Sequence, residues 1–158
     1  AETVSIPVIT TGGIADGRGL AAALTLGAEG VLMATRFIAT KECEIHESFH
    51  QELINRQEQE TTLINKSINL QGRALKNDIV AEILEVEKNG GGLSELAPLI
   101  SGQRMKEAYK TGDVNHAAFM VGQSIGMIKD VVTCQELLDR MVNEAQEILA
   151  KNLARFSK

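Results

Sequence analysis

The sequence contains no tryptophan and few other aromatic residues, which make up 3% of its 158 residues. Proteins that bind single-stranded nucleic acid without sequence preference stack the bases on aromatic side chains, so such a platform has little to be built from here. Positive charge is also scarce, because 16 Lys and Arg stand against 21 Asp and Glu for a formal net charge of -5. This balance provides no general attraction for nucleic acid or for an anionic membrane.

Cysteine is nearly absent, with Cys43 and Cys134 as the two in the chain. They are too few and too far apart in sequence for a disulfide framework or a zinc cluster, and a reduced cytosolic setting accounts for both. No apolar run approaches the roughly 20 residues that span a bilayer, and the N-terminus lacks the layout of a signal peptide. We therefore expect a cytoplasmic protein with no membrane partner and no nucleic-acid partner.

The first 35 residues predict one strand–helix–strand unit. Residues 6–11 are rich in β-formers and almost continuously apolar, as in a parallel strand that is covered on both faces. Strong helix formers fill residues 20–26, and residues 30–35 have the composition of a second buried strand. A βαβ unit has about this length, and its crossover connection makes the two strands parallel.

The remainder of the chain is expected to be mostly helical. Residues 41–60 and 78–88 carry apolar side chains at helical spacing, while residues 61–70 are rich in β-formers but irregular. Thr133 and Glu136 have the spacing of a capping box at the start of the last helix. An apolar stripe follows them along this helix: Leu137, Leu138, Met141, Val142, Ala145, Ile148, Leu149 and Leu153.

A glycine pair after the first strand carries the clearest chemical signal. Gly12 and Gly13 stand where a parallel strand ends and its helix is about to begin, and backbone N–H groups there can point at an anion. The late strands of a (β/α)8 barrel carry a phosphate site at this edge. The second strand leads into residues 33–37, so both strand ends would hold one phosphate if the strands are neighbours. For the glycines alone, a close-packing turn without a ligand is the alternative.

Most of the chain closely resembles the nitronate monooxygenase family, once called 2-nitropropane dioxygenases, and the related FMN-dependent enoyl-acyl-carrier-protein reductases. The segments that carry this resemblance are residues 6–31, 34–37, 73–77, 112–115 and 121–126. The resemblance implies an α/β fold that comprises the C-terminal part of a TIM (β/α)8 barrel and a mostly helical second domain.

The resemblance also implies how the chain is divided. Residues 1–40 would be the last β/α units of an FMN-binding barrel, residues 41–111 the mostly helical second domain, and residues 112–158 a return to the barrel with a C-terminal helix. Two strands cannot close a barrel. We therefore expect a missing N-terminal half, a separate partner chain, or a homo-oligomer.

The cofactor implied by the resemblance is FMN, held non-covalently through its phosphate. Carried over by position, the cofactor-binding residues are Gly12, Gly13, Leu32, Met33, Ala34 and Thr35, and a small-residue segment adds Gln123 and Ser124. Helix packing through Gly122 and Gly126 is the alternative for that segment. Family members commonly have glutamine and glycine where this chain has Leu32 and Ala34, but a backbone amide at Ala34 can still bind phosphate.

The reaction implied by the resemblance is oxidation of a small-molecule nitronate or nitroalkane with O2 through FMN. Reduction of an enoyl-acyl-carrier-protein with NAD(P)H and a non-catalytic half of such an enzyme are the alternatives. The family's Gly-Gly-His segment with the proposed catalytic base comes before residue 1, so no catalytic residue is assigned. His46 and His50 have the spacing of a metal pair, but no third ligand is evident, so we expect both to be exposed to solvent and no metal to be bound.

Overall fold

The chain forms two compact units in the computed structural model, which describes residues 3–156. Unit 1 comprises Ala1–Cys43 and Asp130–Lys158, and unit 2 comprises Glu44–Lys129. Unit 2 is therefore inserted into the sequence of unit 1. Each unit has its own hydrophobic core.

The predicted division of the intact enzyme into residues 1–40, 41–111 and 112–158 stays a prediction. Residues 1, 2, 157 and 158 of this division lie outside the described residues. The compact units differ from this division at residues 41–43, which belong to unit 1, and at residues 112–129, which belong to unit 2.

Unit 1 begins with the βαβ arrangement that the sequence predicts. Strand β1 (Ile9–Thr11), helix α1 (Gly17–Thr25) and strand β2 (Gly30–Leu32) follow one another, and the two strands pair in parallel. Both strands are shorter than predicted. β1 starts after Pro7, which has no N–H to donate to a ladder, and β2 stops before a short helix α2 (Thr35–Ile38).

Helix α7 (Cys134–Phe156) packs against α1 and completes unit 1. The predicted capping box is present, because Thr133 N–H donates to Glu136 Oε2 at 2.8 Å and Glu136 N–H donates to Thr133 Oγ1 at 3.1 Å. The two helices are also joined by a hydrogen bond from Gly17 N–H to Glu144 Oε2 at 2.7 Å.

The apolar stripe of α7 is buried on one side only. Its buried residues are Leu137, Met141 and Ala145, whereas Leu138 and Val142 are each almost half exposed. A stripe this wide spans two faces of the helix, and unit 1 covers one of them. Among residues 3–156, no helix is long and apolar enough to cross a membrane.

Unit 2 combines one antiparallel hairpin with several helices. Strand β3 (Thr61–Ile64) pairs with β4 (Gly72–Leu75), with Thr61 opposite Leu75. The sequence did not predict β4, since it is short and begins with glycine, which is depleted in strands. The helices are α3 (Glu47–Asn55), α4 (Asp78–Lys88), α5 (Leu93–Leu96) and α6 (Gly102–Thr111), with 3₁₀ segments at Glu58–Glu60 and Gln123–Met127.

Three aromatic rings meet edge to face in unit 2. The ring centroid of Phe49 lies 5.0 Å from that of Tyr109 and 4.9 Å from that of Phe119. Phe49 and Phe119 are fully buried. Edge-to-face pairs of this kind contribute roughly 0.5–1.5 kcal/mol beyond the burial of their area. The chain has one tyrosine and four phenylalanines, and three of these five rings lie in this cluster.

Replacing Gly17 with alanine should destabilise unit 1. A Cβ at Gly17 would lie 2.6 Å from the Cβ of Glu144 and 2.6 Å from the carbonyl oxygen of Met141. Because backbone must move to relieve the second contact, we expect Gly17→Ala to lower the free energy of unfolding by about 1–3 kcal/mol in urea denaturation.

Gly102 provides the matched control, because it is also the first residue of a helix and a Cβ there would meet no atom within 4 Å. We expect Gly102→Ala to leave stability unchanged or raise it by up to about 1 kcal/mol. Equal losses in the two variants would show that close packing at Gly17 is not the cause.

Candidate functional site

The carboxyl ends of β1 and β2 lie side by side and form the candidate site. Thr11, the last residue of β1, is directly opposite Leu32, the last residue of β2. The Thr11 hydroxyl donates to the Leu32 carbonyl oxygen at 3.2 Å, which adds a side-chain link to the ladder at this edge. The loops that follow both strands therefore start from the same place in unit 1.

The loop after β1 has an open backbone. Gly12 and Gly13 have φ angles of +91° and +74°, in the left-handed region that residues other than glycine rarely adopt. Both are exposed, and a Cβ added at either would meet no atom within 4 Å. The left-handed backbone, and not close packing of protein atoms, requires these glycines, so a turn without a ligand stays the alternative. The open space leaves room for a group against the main chain.

Carboxylates already satisfy the first N–H groups of α1. The Asp16 side chain accepts hydrogen bonds from the N–H groups of Arg18 at 3.0 Å and Gly19 at 3.3 Å, and Glu144 accepts from Gly17. The Arg18 guanidinium is also paired with Asp16. An anion at this edge would consequently be held by the glycine loop and not by the N-terminus of α1.

The segment after β2 presents main chain next to the glycine loop. Leu32 and Ala34 are exposed, Met33 is half-buried, and Thr35 is buried where α2 begins. A short extra helix after the last strand accompanies the phosphate site of many TIM barrels. The structure thus brings together six of the eight predicted cofactor-binding residues: Gly12, Gly13, Leu32, Met33, Ala34 and Thr35.

Arg36 is an anchor within unit 1, although it directly follows this segment. Its side chain is 5% exposed, and Nη2 lies 2.8 Å from Asp130 Oδ1. Nη1 donates to the carbonyl oxygens of Asp130 at 3.1 Å and Ala39 at 3.2 Å. The pKa of Asp130 is held below its ordinary value, mainly by the hydrogen bond from the Arg140 guanidinium. Burial lowers the pKa of Arg36. The guanidinium is therefore committed to the protein and not available for a phosphate.

The other two predicted cofactor-binding residues belong to unit 2. Gln123 is exposed and Ser124 is buried, both in the 3₁₀ segment Gln123–Met127. A Cβ at Gly126 would lie 2.3 Å from Glu58 Oε2, so this glycine permits close packing within unit 2. The packing alternative thus explains Gly126, and the cofactor role of Gln123 and Ser124 stays a prediction.

One histidine differs from its predicted environment. His46 is exposed and caps α3, where its Nδ1 accepts from Ser48 N–H at 3.2 Å. His50 was expected to be exposed as well, but this is wrong because it is only 6% exposed. It shares the buried face of α3 with Phe49 and Leu53. Among residues 3–156, no group of three or more His, Cys, Asp and Glu residues is arranged to hold a metal ion.

Comparison with protein families finds one family model that matches this chain. Residues 1–144 match the model that is described as nitronate monooxygenase. This match includes both strands of the candidate site, the whole of unit 2 and the first part of α7.

Individual proteins also match this chain, and each match covers about half of that protein's own length. A "(3aS,4S,5R,7aS)-5-hydroxy-7a-methyl-1-oxo-octahydro-1H-indene-4-carboxyl-CoA dehydrogenase" from Rhodococcus jostii is 34% identical, and the match covers 91% of this chain and 51% of that protein. The structure of FabK from Thermotoga maritima is similar with a TM-score of 0.88 and 32% identity over 98% of this chain and 49% of FabK. A nitroalkane oxidase from Streptomyces ansochromogenes has a TM-score of 0.74 and 26% identity over 95% of this chain and 42% of its own.

Replacing Asp130 with asparagine should remove a pH-dependent contribution to stability. The pKa of Asp130 is lowered from its ordinary 3.8, so the ionised carboxylate stabilises the folded state above about pH 4. That stabilisation is lost as the pH falls through the lowered value. Because the carboxylate is 42% exposed and partly screened, we expect Asp130→Asn to cost about 1 kcal/mol at pH 7.

The measurement is the free energy of unfolding in urea between pH 3 and pH 7, with Asp139→Asn as the control. Asp139 is exposed on α7, where its carboxylate accepts a hydrogen bond from the side-chain amide of Gln135 at 2.8 Å. We expect the difference between Asp130→Asn and the unchanged protein to narrow below pH 4. A constant difference across this range would contradict the role of the ionised carboxylate.

Proposed function

This chain belongs to the nitronate monooxygenase family, and on that premise we propose that it is the FMN-holding part of a flavin-dependent oxidoreductase. The family match over residues 1–144 confirms the resemblance seen in the sequence. Because the chain spans only about half the length of its relatives, the activity of the whole protein is inferred and not observed.

The observation that carries this proposal is the open glycine backbone beside the end of β2. Gly12 and Gly13 provide left-handed main chain with free space above it, and the exposed segment at Met33 and Ala34 starts from the adjacent strand. Backbone N–H groups arranged around a concave loop are a common anion site. These residues fit the phosphate group of FMN, and Thr35 would complete the segment that faces it.

The neutral character of this site decides how it would hold a phosphate. Arg18 and Arg36 are paired with Asp16 and Asp130, so neither contributes a charge that is not already compensated. Main-chain dipoles would therefore do most of the binding, which requires the close approach that glycine permits. When bound, FMN would supply the redox chemistry, and the residues of this chain would fix the position of its phosphate.

Nitronate oxidation with O2 is the reaction that we propose for the intact protein. The family description and the similarity to a nitroalkane oxidase support it. The chain contributes no catalytic base in this proposal, and its task is to bind and orient the cofactor. The small-molecule substrate would be bound by parts of the protein that include residues beyond this chain.

A second candidate is chemistry on an acyl thioester. The relative from Rhodococcus jostii is named as a dehydrogenase of a carboxyl-CoA compound, and it is 34% identical to this chain. An FMN-dependent reductase of enoyl thioesters that uses NAD(P)H would share the same phosphate site. A non-catalytic half of either enzyme is the remaining alternative.

The exposed surface of the two-stranded sheet supports the need for a further half. Ile9 and Leu32 are each more than half exposed, although both lie in strands. Two strands leave unpaired edges and cannot close a barrel. We propose that a further N-terminal half of the protein, a separate partner chain or another copy of this chain covers this sheet.

Replacing Gly13 with aspartate should weaken FMN binding. An aspartate tolerates the left-handed backbone but places a carboxylate beside the phosphate. Two like charges about 4 Å apart repel by about 4 kcal/mol at an effective dielectric constant of 20, so we expect the Kd for FMN to rise at least about tenfold. Titration of FMN followed by its visible absorption and fluorescence measures this change.

Gly90→Asp is the matched control for the added charge and the strained backbone. Gly90 has a φ of +79°, and a Cβ there would also meet no atom within 4 Å, but it lies in unit 2. We expect this variant to bind FMN as the unchanged protein does. No bound FMN in the unchanged protein at saturating cofactor would overturn the proposed phosphate site.

The reaction itself is tested on the intact FMN-loaded protein, which includes the residues beyond this chain, with two substrate pairs. We expect O2 consumption with an alkyl nitronate in the absence of NAD(P)H, because the flavin can be reduced by the nitronate and oxidised again by O2. Consumption of NAD(P)H with an enoyl thioester would instead favour the second candidate. Bound FMN without either reaction would contradict both and indicate a non-catalytic half.

A further inference from the structure

Two segments that are distant in sequence run side by side in unit 1. Thr40 and Val132 form a parallel bridge, and Lys41 N–H donates to the Val132 carbonyl oxygen at 2.9 Å. Two residues further along, the Glu42 carboxylate accepts from Cys134 N–H at 2.8 and 3.0 Å. Glu42 is thus the neighbour of Cys134 on the facing segment. The next residue along that segment also lies close to the start of α7.

That residue is Cys43, and Thr40 contacts both cysteines. The Cys134 thiol lies 3.6 Å from Thr40 Oγ1, and Cys43 N–H donates to the Thr40 carbonyl oxygen at 3.1 Å. Both cysteines are half-buried and neither is in a disulfide. The hydrogen bond from Cys43 closes a turn that begins at Thr40, so both cysteines lie around this one residue. A disulfide spans α-carbons about 4.4–6.8 Å apart.

We propose that Cys43 and Cys134 are a redox-active pair that a hydroperoxide oxidises to a disulfide within unit 1. The Cys134 thiolate attacks the terminal peroxide oxygen, the O–O bond breaks, and a sulfenic acid and an alcohol or water form. The Cys43 thiolate then attacks the sulfenic sulfur, the S–O bond breaks and the sulfenic oxygen leaves as water. Two thiols lose two electrons in total, and the hydroperoxide gains them.

The burial of Cys43 supports its role in the second step. Burial is the main cause that raises the pKa of the Cys43 thiol, and the neighbouring Cys134 adds to this effect. A raised pKa reduces the fraction of thiolate, which is the attacking form. Cys43 is therefore a poor first nucleophile and suits the second step, in which the sulfenic sulfur is already held next to it.

The position of the pair gives the disulfide a structural consequence. Cys43 is the last residue of unit 1 before the chain enters unit 2, and Cys134 is the first residue of α7. The bond would close a loop that contains the whole of unit 2. Long closed loops restrict the unfolded chain most in the entropic account of disulfides, so oxidation should stabilise unit 1 even though the weak hydrogen bond from the Cys134 thiol to Thr40 Oγ1 is lost.

The test is oxidation of the fully reduced protein with hydrogen peroxide, followed by proteolysis without reductant and mass spectrometry. We expect a peptide pair linked through Cys43 and Cys134 as the main product, and a loss of both titratable thiols. The oxidised protein should unfold several degrees higher than the reduced protein, and dithiothreitol should reverse this shift. This experiment requires no bound flavin, so its result is independent of the proposed function.

Cys43→Ser and Cys134→Ser are the control variants. With Cys43 removed, we expect dimedone to trap a sulfenic acid on Cys134, and neither variant should show a shift in unfolding temperature that dithiothreitol reverses. Thiols that stay free in the unchanged protein, separate over-oxidation of each sulfur, or linkage only between molecules would each overturn the proposal. The linked peptide is read from the unchanged protein, so it does not depend on the folding of a variant.

Discussion

The parallel pairing of Ile9–Thr11 with Gly30–Leu32 is the constraint on which the candidate site depends. Parallel strands direct their carboxyl ends to the same edge, so the loop at Gly12 and Gly13 and the segment at Met33 and Ala34 emerge together. An antiparallel pair would separate these segments by the length of a strand. The short ladder is sufficient for this purpose, because the hydroxyl of Thr11 also bonds the carbonyl of Leu32 at the edge itself.

Contacts between the two ends of the chain hold this arrangement in place. Arg36 bonds Asp130 across 94 positions of sequence, Thr40 pairs with Val132, and Gly17 bonds Glu144 on α7. All of these contacts lie within unit 1, and they surround the short helix α2 and the start of α1. The backbone of the candidate site is therefore positioned by hydrogen bonds to α7 and to the residues that precede it, although none of the six predicted residues of unit 1 belongs to that segment.

The sequence predicts what depends on neighbouring residues and misses what depends on distant ones. The βαβ unit, the glycine loop and the capping box of Thr133 and Glu136 follow from local pattern, and the structure contains all three. The burial of His50 and the position of the cysteines do not, because helical spacing cannot tell which face of α3 is covered and sequence distance conceals that Cys43 and Cys134 both lie next to Thr40. Binding of FMN at the predicted site likewise does not follow from local pattern, because it depends on contacts with the ligand.

The acidic composition of the chain and the form of the candidate site are consistent with each other. With a formal net charge of -5, the protein offers an anion no favourable long-range field, and Arg18 and Arg36 are neutralised by Asp16 and Asp130. In the proposed function, binding therefore comes from short-range contacts with main-chain N–H groups, whose strength falls quickly with distance. Under this proposal a side chain at Gly12 or Gly13 would occupy the space that the phosphate needs, whereas the open, left-handed glycine backbone leaves it free.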